Sequence, residues 1–355
     1  MDRLRIDDHK LMYHVHRVND WLSGGLVYPI YVEIATSGTC NHRCTFCALD
    51  YLGYQRRFLD TQVLRARLTE MADRGVKSVM YAGEGEPLLH KDIGEIILFS
   101  KSAGLDVAVT TNAVLLRERL VDQVLGAITW IRASIGGGTA ETYSSIHRTR
   151  AEDFNRVLTN LAYAAKVKSK NKYDCTLGAQ LLLLPENYQE AGILAKTLRD
   201  IGLDYLIIKP YSQHPMSLTR TYSDLRYGNY LRLRDDLQEY NHNGFQVVFR
   251  LDTMQKLDEL DRGYARCYGL PFWAYIDAAG NVCGCSAYLG NEALQYGNIN
   301  EHTFSEIWEG GTRLRSLHWT EDELDIAQCR QNCRMDKINQ YLWELRNPPE
   351  HVNFI

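Results

Sequence analysis

The chain has 355 residues, a formal net charge of -4, 45% hydrophobic residues and 24% charged residues. That length predicts one large domain plus a smaller one. The composition is that of an ordinary globular protein, and the mildly acidic balance without a basic stripe argues against a nucleic-acid partner. No apolar run approaches the ~18 residues of a membrane helix. The start, Met1 to Asp8, has no apolar signal-peptide region, so a cytoplasmic location away from membranes is expected. Nine cysteines in such a chain predict metal or redox chemistry, not a disulfide framework.

Residues Asp7 to Leu22 read as a helix outside the main repeat, with Leu11, His14, Val15, Val18 and Leu22 near helical spacing. From Pro29 the chain alternates strand and helix. Apolar, β-branched runs lie at Ile30–Ala35, Ser78–Ala82, Asp106–Thr111, Thr129–Ile135, Asp174–Leu184 and Asp204–Lys209. Helical patterns follow them at Thr61–Arg74, Lys91–Ala103, Arg117–Val124, Ala151–Lys168, Asn187–Ile201 and Tyr222–Tyr240. Gly75, Gly104, Gly202 and Gly244 stand where helices end and predict left-handed C-terminal caps. Such alternation predicts an α/β protein with a parallel sheet and outer helices. Right-handed crossovers would let it curl into a barrel or part of one. Sequence spacing leaves open strands and a closed barrel equally possible.

Directly after the first strand stand Cys40-x-x-x-Cys44-x-x-Cys47. Thiolates this close in sequence are metal ligands or a redox pair. Iron–sulfur clusters take four thiolates; three leave one iron open, as a catalytic metal requires. The alternative is a zinc knuckle with a distant fourth ligand such as His42, although zinc sites favour paired Cys-x-x-Cys or Cys/His spacings. The loop, with Phe46 before its last cysteine, resembles the signature of the radical S-adenosylmethionine (SAM) enzymes. The resemblance implies a partial (β/α)6 barrel and SAM chelated at the open iron of a [4Fe-4S] cluster. It also implies reductive cleavage of SAM to a 5′-deoxyadenosyl radical and an electron donor such as flavodoxin or ferredoxin.

In (β/α) barrels chemistry sits at the C-terminal ends of the strands. After the second strand comes Gly83-Glu84-Gly85-Glu86-Pro87, a turn that would bring backbone close to a ligand. It resembles the family's Gly-Gly-Glu-Pro motif, which implies that Gly85 and Glu86 grip the amino group of SAM. Thr111-Asn112 ends the third strand and matches a family Thr-Asn position near SAM. Ser134 ends the fourth and matches a serine near the ribose and carboxylate. Gly136 stands where the family often has Asp, and Arg148 is a candidate carboxylate clamp. The fifth strand, Thr176 to Gln180, matches the adenine-contact motif only in part and contributes no ligand. The sixth ends in Lys209-Pro210-Tyr211-Ser212-Gln213-His214, where Lys209, Tyr211 and His214 are candidates to hold or deprotonate a polar substrate; a solvated loop with a buried tyrosine reads the residues as well.

The strand Phe245 to Arg250 closes the barrel region, and Leu251 to Arg266 reads as a connector. Phe272 to Ile276, a Gly280 turn and Val282 predict a short hairpin, flanked by Cys267, Cys283, Cys285, Cys329 and Cys333. Cysteine, hairpin and Gly-x-x-x-x-Cys together resemble the SPASM/twitch extension, which implies an auxiliary [4Fe-4S] cluster. Cys267, Cys285, Cys329 and Cys333 are its candidate ligands, with Cys283 interchangeable with Cys285, and zinc the other metal for such a site. Two residues apart on a strand, Cys283 and Cys285 would leave the same face. A free Cys283 would then be a candidate hydrogen-atom donor. Cys175, inside a strand, reads as a small buried hydrophobe.

The expected organisation is an N-terminal extension 1–28, a barrel 29–250, a twitch/SPASM-like hairpin-plus-helix domain 251–345 and a tail 346–355. Met1 to Val27 lacks the strands of a leader-peptide module. The expected reaction is therefore hydrogen abstraction from a small-molecule substrate such as a sugar, aminocyclitol or nucleotide-linked sugar. Net oxidation is preferred, with epimerisation through Cys283 or maturation of a ribosomally made peptide as alternatives.

Overall fold

The computed structural model describes residues 5, 6, 8–242, 244–258 and 261–354. Seven parallel strands follow the chain: β1 (Tyr31–Ile34), β2 (Ser78–Tyr81), β3 (Asp106–Thr111), β4 (Trp130–Ser134), β5 (Thr176–Leu183), β6 (Tyr205–Pro210) and β7 (Gln246–Phe249). Each pairs in parallel with the next, the order that successive right-handed crossovers produce. The alternation of the strands divides the molecule. Val79, Tyr81, Val107, Val109, Leu206 and Ile208 face outward into one continuous apolar core with the helices. Each fully buried aliphatic side chain there contributes about 1.5–3 kcal/mol. The inward set differs. Met80, Ala82 and Ala108 floor the barrel with Tyr31 and Trp130 packed on them, while Glu33, Thr110, Arg132, Gln180 and Lys209 line an internal cavity of about 700 Å³.

Helices Thr61–Asp73, Ile93–Ser102, Glu118–Val124 and Ala151–Asn171 form close to where periodicity puts them. Asp60 caps the first, accepting from the Gln62 and Val63 amides at 2.8 and 2.9 Å. Three expectations need correction. The segment 187–201 is a helix only over Ala191–Asp200, after a single 3-10 turn. The segment 222–240 is a run of short turns around Leu233–Leu237, so Gly244, although at φ +104°, closes a turn and not a helix. An unexpected helix, Ala140–His147, is capped by Thr139.

At the N-terminus the helix covers Val15–Leu22 after a 3-10 turn at Leu11–Tyr13, and Asp7 lies outside the described residues. Val15 and Leu22 are exposed. Leu11, Val18 and Trp21 are the buried residues, packed on Tyr268, Phe272 and Leu342 near the other end of the chain. Ile6 plugs the barrel floor against Tyr205, Ile207 and Val248.

The hairpin forms as expected, β8 (Trp273–Ile276) against β9 (Asn281–Cys283), with a third strand, β10 (Gln295–Asn298), added. Sequence reasoning missed where it goes. β8 pairs in parallel with β1, giving one sheet of order β10-β9-β8-β1-β2-β3-β4-β5-β6-β7. Helices Phe304–Glu309, Gly311–Asp322 and Asp336–Arg346 follow. Phe304, Ile307 and Trp308 join the barrel's own apolar core, and Glu70 accepts from the Phe304 amide at 2.7 Å. The C-terminal region is therefore an extension of the barrel sheet.

Candidate active site

The loop after β1 carries Cys40, Cys44 and Cys47. Two distant segments clamp it. The Arg43 and Thr45 amides donate to the His147 and Ile146 carbonyls (3.1 and 2.8 Å), and Ser217 Oγ donates to the Cys47 carbonyl (3.1 Å). Asp50 accepts from Ser217 Oγ and from the Leu218 and Thr219 amides, at 2.8 to 3.0 Å. Burial, then neighbouring charge, pushes all three thiols up: Cys40 to about 12, Cys44 well above the usual range, and Cys47 in the same direction. Cys40 and Cys47 each disfavour ionisation of Cys44. Buried thiols that oppose one another's ionisation become stable thiolates only around a cation, so the donor set fits an iron–sulfur cluster.

Behind Cys44 stands His147. Its Nε2 accepts from the Gly136 amide at 2.8 Å, so its proton is on Nδ1, which donates to Cys44 Sγ at 3.0 Å. A Cβ on Gly136 would lie 2.8 Å from that Nε2, which accounts for glycine at this position. Burial, then His42, pushes His147 down to about 3. His42 is buried against Tyr143 and His147. His42, Cys44 and His147 have ligand atoms within 4.8 Å of one another; with Nε2 of His147 taken by the Gly136 amide and its Nδ1 on Cys44, the group packs as the wall behind the cysteine loop.

Glu86 is buried. Its Oε1 accepts from Thr111 Oγ1 and from the Leu88 amide (3.1 Å), and its Oε2 from the Asn112 amide (2.8 Å). Asn112 Nδ2 in turn donates to Asn41 Oδ1 at 2.7 Å. The motif after β2 is thus tied to the end of β3 and to the cysteine loop. Gly85 is required there, since a Cβ would fall 2.3 and 2.4 Å from the Ser37 and Thr39 carbonyl oxygens. Burial outweighs the three hydrogen bonds and raises the Glu86 carboxyl to about 7. Oε2 keeps one lone pair for a cation. Ser134 Oγ accepts from Gln180 Nε2 at 2.8 Å. Phe46 lies edge-on to His147, 5.7 Å between centroids, and lines the cavity. Arg148 caps the Ala140–His147 helix at φ +47° and is exposed, away from the cavity wall.

Cys267, Cys285, Cys329 and Cys333 all line the cavity. Burial, then Cys333, Cys267 and Cys329, pushes Cys285 well up. Each sulfur receives one hydrogen bond: Cys267 from Asn339 Nδ2 (3.4 Å), Cys285 from the Ala287 amide (3.4 Å), Cys329 from Tyr288 Oη (3.6 Å) and Cys333 from the Met335 amide (3.4 Å). Four converging sulfurs with their own donors fit a second cluster. The nine cysteines are all free of disulfides. Cys283 does not line the cavity. It is 3% exposed in an apolar cluster with Ala35, Trp273 and Tyr275, against which Cys267, Cys285 and Cys333 also pack, and its neighbouring charges are Asp277 and Glu84. β9 ends at Cys283, and Cys285, still extended in backbone, caps the 3-10 turn that follows and lines the cavity, whereas Cys283 does not.

On the barrel wall, Lys209 and His214 line the cavity. His214 Nδ1 accepts from the Met216 amide at 3.2 Å, and burial, then Arg330, lowers it to about 4. Tyr211 is buried in a separate apolar cluster, with its hydroxyl donating to Gln213 at 3.0 Å. It is a structural residue here, because its amide is anchored by Tyr227 Oη at 2.6 Å. Sequence reasoning missed Glu84, which binds Arg57 (2.9 Å) and the Ala278 amide (2.7 Å) and so ties the hairpin turn to the barrel. It also missed Asp50, His147, Arg132 and Arg330; no local spacing marks them.

This geometry agrees with known proteins. Residues 34–198 match the radical SAM superfamily and residues 267–334 match an iron–sulfur cluster-binding domain, SPASM. The GTP 3′,8-cyclase of Stenotrophomonas maltophilia is 30% identical over 321 residues, 86% of this chain and 88% of that protein. The GTP 3′,8-cyclase of Chlorobaculum tepidum is 29% identical over 189 residues, 52% of this chain but only 55% of that protein. Streptococcus suis SuiB, in a crystal structure with its precursor peptide SuiA, has the same fold with a TM-score of 0.64 at 19% identity, over 84% of this chain and 68% of that one. The chain belongs to the radical SAM superfamily. It is a member with a C-terminal SPASM iron–sulfur domain, and its cofactors are SAM and [4Fe-4S] clusters. Among the described residues no helix is long and apolar enough to cross a membrane.

Proposed function

We propose that the protein abstracts a hydrogen atom from a small polar substrate, such as a sugar, aminocyclitol or nucleotide-linked sugar, and oxidises it. The observation that carries this reading is a single cavity lined both by Cys44 and Cys47 and by Cys267, Cys285, Cys329 and Cys333. In this reading Cys40, Cys44 and Cys47 hold the SAM-cleaving cluster, and the four C-terminal cysteines hold the auxiliary one. When bound, these groups supply a hydrogen-abstracting 5′-deoxyadenosyl radical and a one-electron acceptor. Glu86, oriented by Thr111 and Asn112, holds the SAM ammonium. Ser134, through Gln180, and Phe46 shape the rest of the SAM face. His214, held neutral by burial and Arg330 and with its Nδ1 taken by the Met216 amide, carries its proton on Nε2 and donates a hydrogen bond to the substrate. Residues 29–250 and 251–345 both line the chamber, and a flavodoxin or ferredoxin supplies the electron.

The cavity of about 700 Å³ includes the room that SAM and the clusters would take, since their thiols line it, so a substrate held in the rest of it is a small molecule. GTP 3′,8-cyclase, by its name, also acts on a small polar molecule. Oxidation is favoured over epimerisation by Cys283, which lies outside the cavity lining. Reconstituted protein with dithionite is expected to form 5′-deoxyadenosine and methionine slowly without substrate; absence of 5′-deoxyadenosine would overturn the reading. Cys283→Ala is expected to keep its full iron content, lose roughly 1 kcal/mol of stability and leave product formation unchanged. Solvent deuterium entering one substrate carbon in the parent and vanishing in that variant would decide for epimerisation.

A further inference from the structure

Among the described residues of the lining, Arg132, Lys209 and Arg330 on the chamber wall have no carboxylate partner. Arg132, on β4, anchors its Nε on Tyr205 Oη at 3.3 Å and lays its guanidinium 4.7 Å from the Trp130 ring. Arg330 anchors its Nε on the Ser212 carbonyl at 3.1 Å. Among the described residues neither guanidinium spends its two terminal nitrogens, so each keeps the fork that grips planar or tetrahedral anions. Lys209, on β6, has no hydrogen-bond or ion-pair partner among the described residues. The carboxylates of the lining are committed elsewhere: Glu33 to Arg334, Asp336 to Lys256 and Asp8 to Arg5; Asp252 is exposed.

The arrangement is built, not incidental. Tyr205 holds Arg132 in place only because position 178 is glycine, where a Cβ would fall 2.1 Å from the Tyr205 ring. Burial, then Arg132, Arg250, Arg330 and Arg334, pushes the Lys209 ammonium well below its usual range. Unpaired like charges in a chamber cost stability, and such clusters mark functional sites.

We propose that the substrate carries at least two anionic groups, carboxylates or phosphates, and that Arg132, Lys209 and Arg330 hold them. The inference rests on the reading of this cavity as the substrate chamber. Arg330 lies between Cys329 and Cys333 in the chain, so the anionic end is held on that side, leaving the carbon that reacts toward Cys44 and Cys47. Neutral aminocyclitols and unphosphorylated sugars are thereby disfavoured, and nucleotide-linked or phosphorylated sugars and polycarboxylates are favoured.

The test is calorimetric titration of the reconstituted, SAM-loaded protein with fructose 1,6-bisphosphate, tricarballylate and, as the neutral control, fructose. Cluster absorbance is monitored throughout. At least one polyanion is expected to bind at one saturable site, and fructose is not. Preference for the bisphosphate identifies phosphates, and preference for tricarballylate identifies carboxylates. Arg132→Gln and, independently of any packing loss at Trp130, Lys209→Met are each expected to weaken binding roughly tenfold or more. No binding of either polyanion at millimolar concentration, or equal binding by correctly folded Lys209→Met, overturns the proposal. The parent's formation of 5′-deoxyadenosine separates the two failures. If it forms but no polyanion binds, only this inference falls; if it does not form, the radical SAM reading of the site falls.

Discussion

Replacing Cys40, Cys44 and Cys47 together by alanine is expected to lower the iron of anaerobically reconstituted protein from about eight atoms per chain to about four, with an equal loss of sulfide. Formation of 5′-deoxyadenosine should disappear. The remaining iron belongs to Cys267, Cys285, Cys329 and Cys333, whose hydrogen-bond donors Asn339, Ala287, Tyr288 and Met335 come from the C-terminal region itself. The loop that loses its cysteines keeps its clamps at Ile146, His147 and Asp50, so the barrel should fold. Iron and sulfide analysis with electron paramagnetic resonance of the reduced protein checks this. A variant that loses all its iron would show that the two sites do not assemble separately.

The second large effect belongs to Glu86. Glu86→Ala would strand the Thr111 hydroxyl and the Leu88 and Asn112 amides in a buried place, at a cost of about 3 kcal/mol or more. Glu86→Gln is therefore the cleaner variant, and it should lower SAM affinity about ten- to a hundredfold through loss of a charge-assisted contact. The pH dependence is the sharper readout. The Glu86 carboxyl is raised to about 7, so without ligand the folded protein binds a proton that the unfolded chain has lost. Its contribution to stability therefore falls, by about 3 kcal/mol, as pH rises from about 4.5 to 7. SAM requires the ionised form. At pH 6 only about a tenth is ionised, so affinity should rise about fivefold to a maximum near pH 7.4, above which the SAM amine, with an ordinary value near 7.8, loses its own proton. Affinity measured across pH 6 to 8.5 should trace an acid limb near 7 in the parent and none in Glu86→Gln. An acid limb that survives in the variant would assign the titration to another group.

Much of the candidate site was legible because its chemistry is local. The Cys40–Cys47 spacing, the Gly85-Glu86 turn and the glycines before strands are each set by a few neighbouring residues, and turn or ligand geometry acts over that distance. Helix ends were also legible where a glycine marks them, as at Gly75, Gly104 and Gly202. The failures share a cause. Thr139 caps a helix that interrupts a segment without strong periodicity, and the 222–240 stretch has helical spacing but no continuous face to bury.

By itself the sequence determined the strand–helix alternation and the grouping of the cysteines into two sets, both of which follow from spacing along the chain; the class of cofactor came from the resemblance those motifs carry. Only the tertiary structure decided that β8 joins β1 and fuses the two regions into one sheet. It also brought Cys285 and not Cys283 into the lining of the cavity, set His147 to donate to Cys44 and gathered Arg132, Lys209 and Arg330 around one chamber. Those residues lie on different strands and loops, up to 198 positions apart from Arg132 to Arg330. Their neighbourhood is created by burial of the outward strand faces, which fixes each inward side chain without any local signal of where it will point.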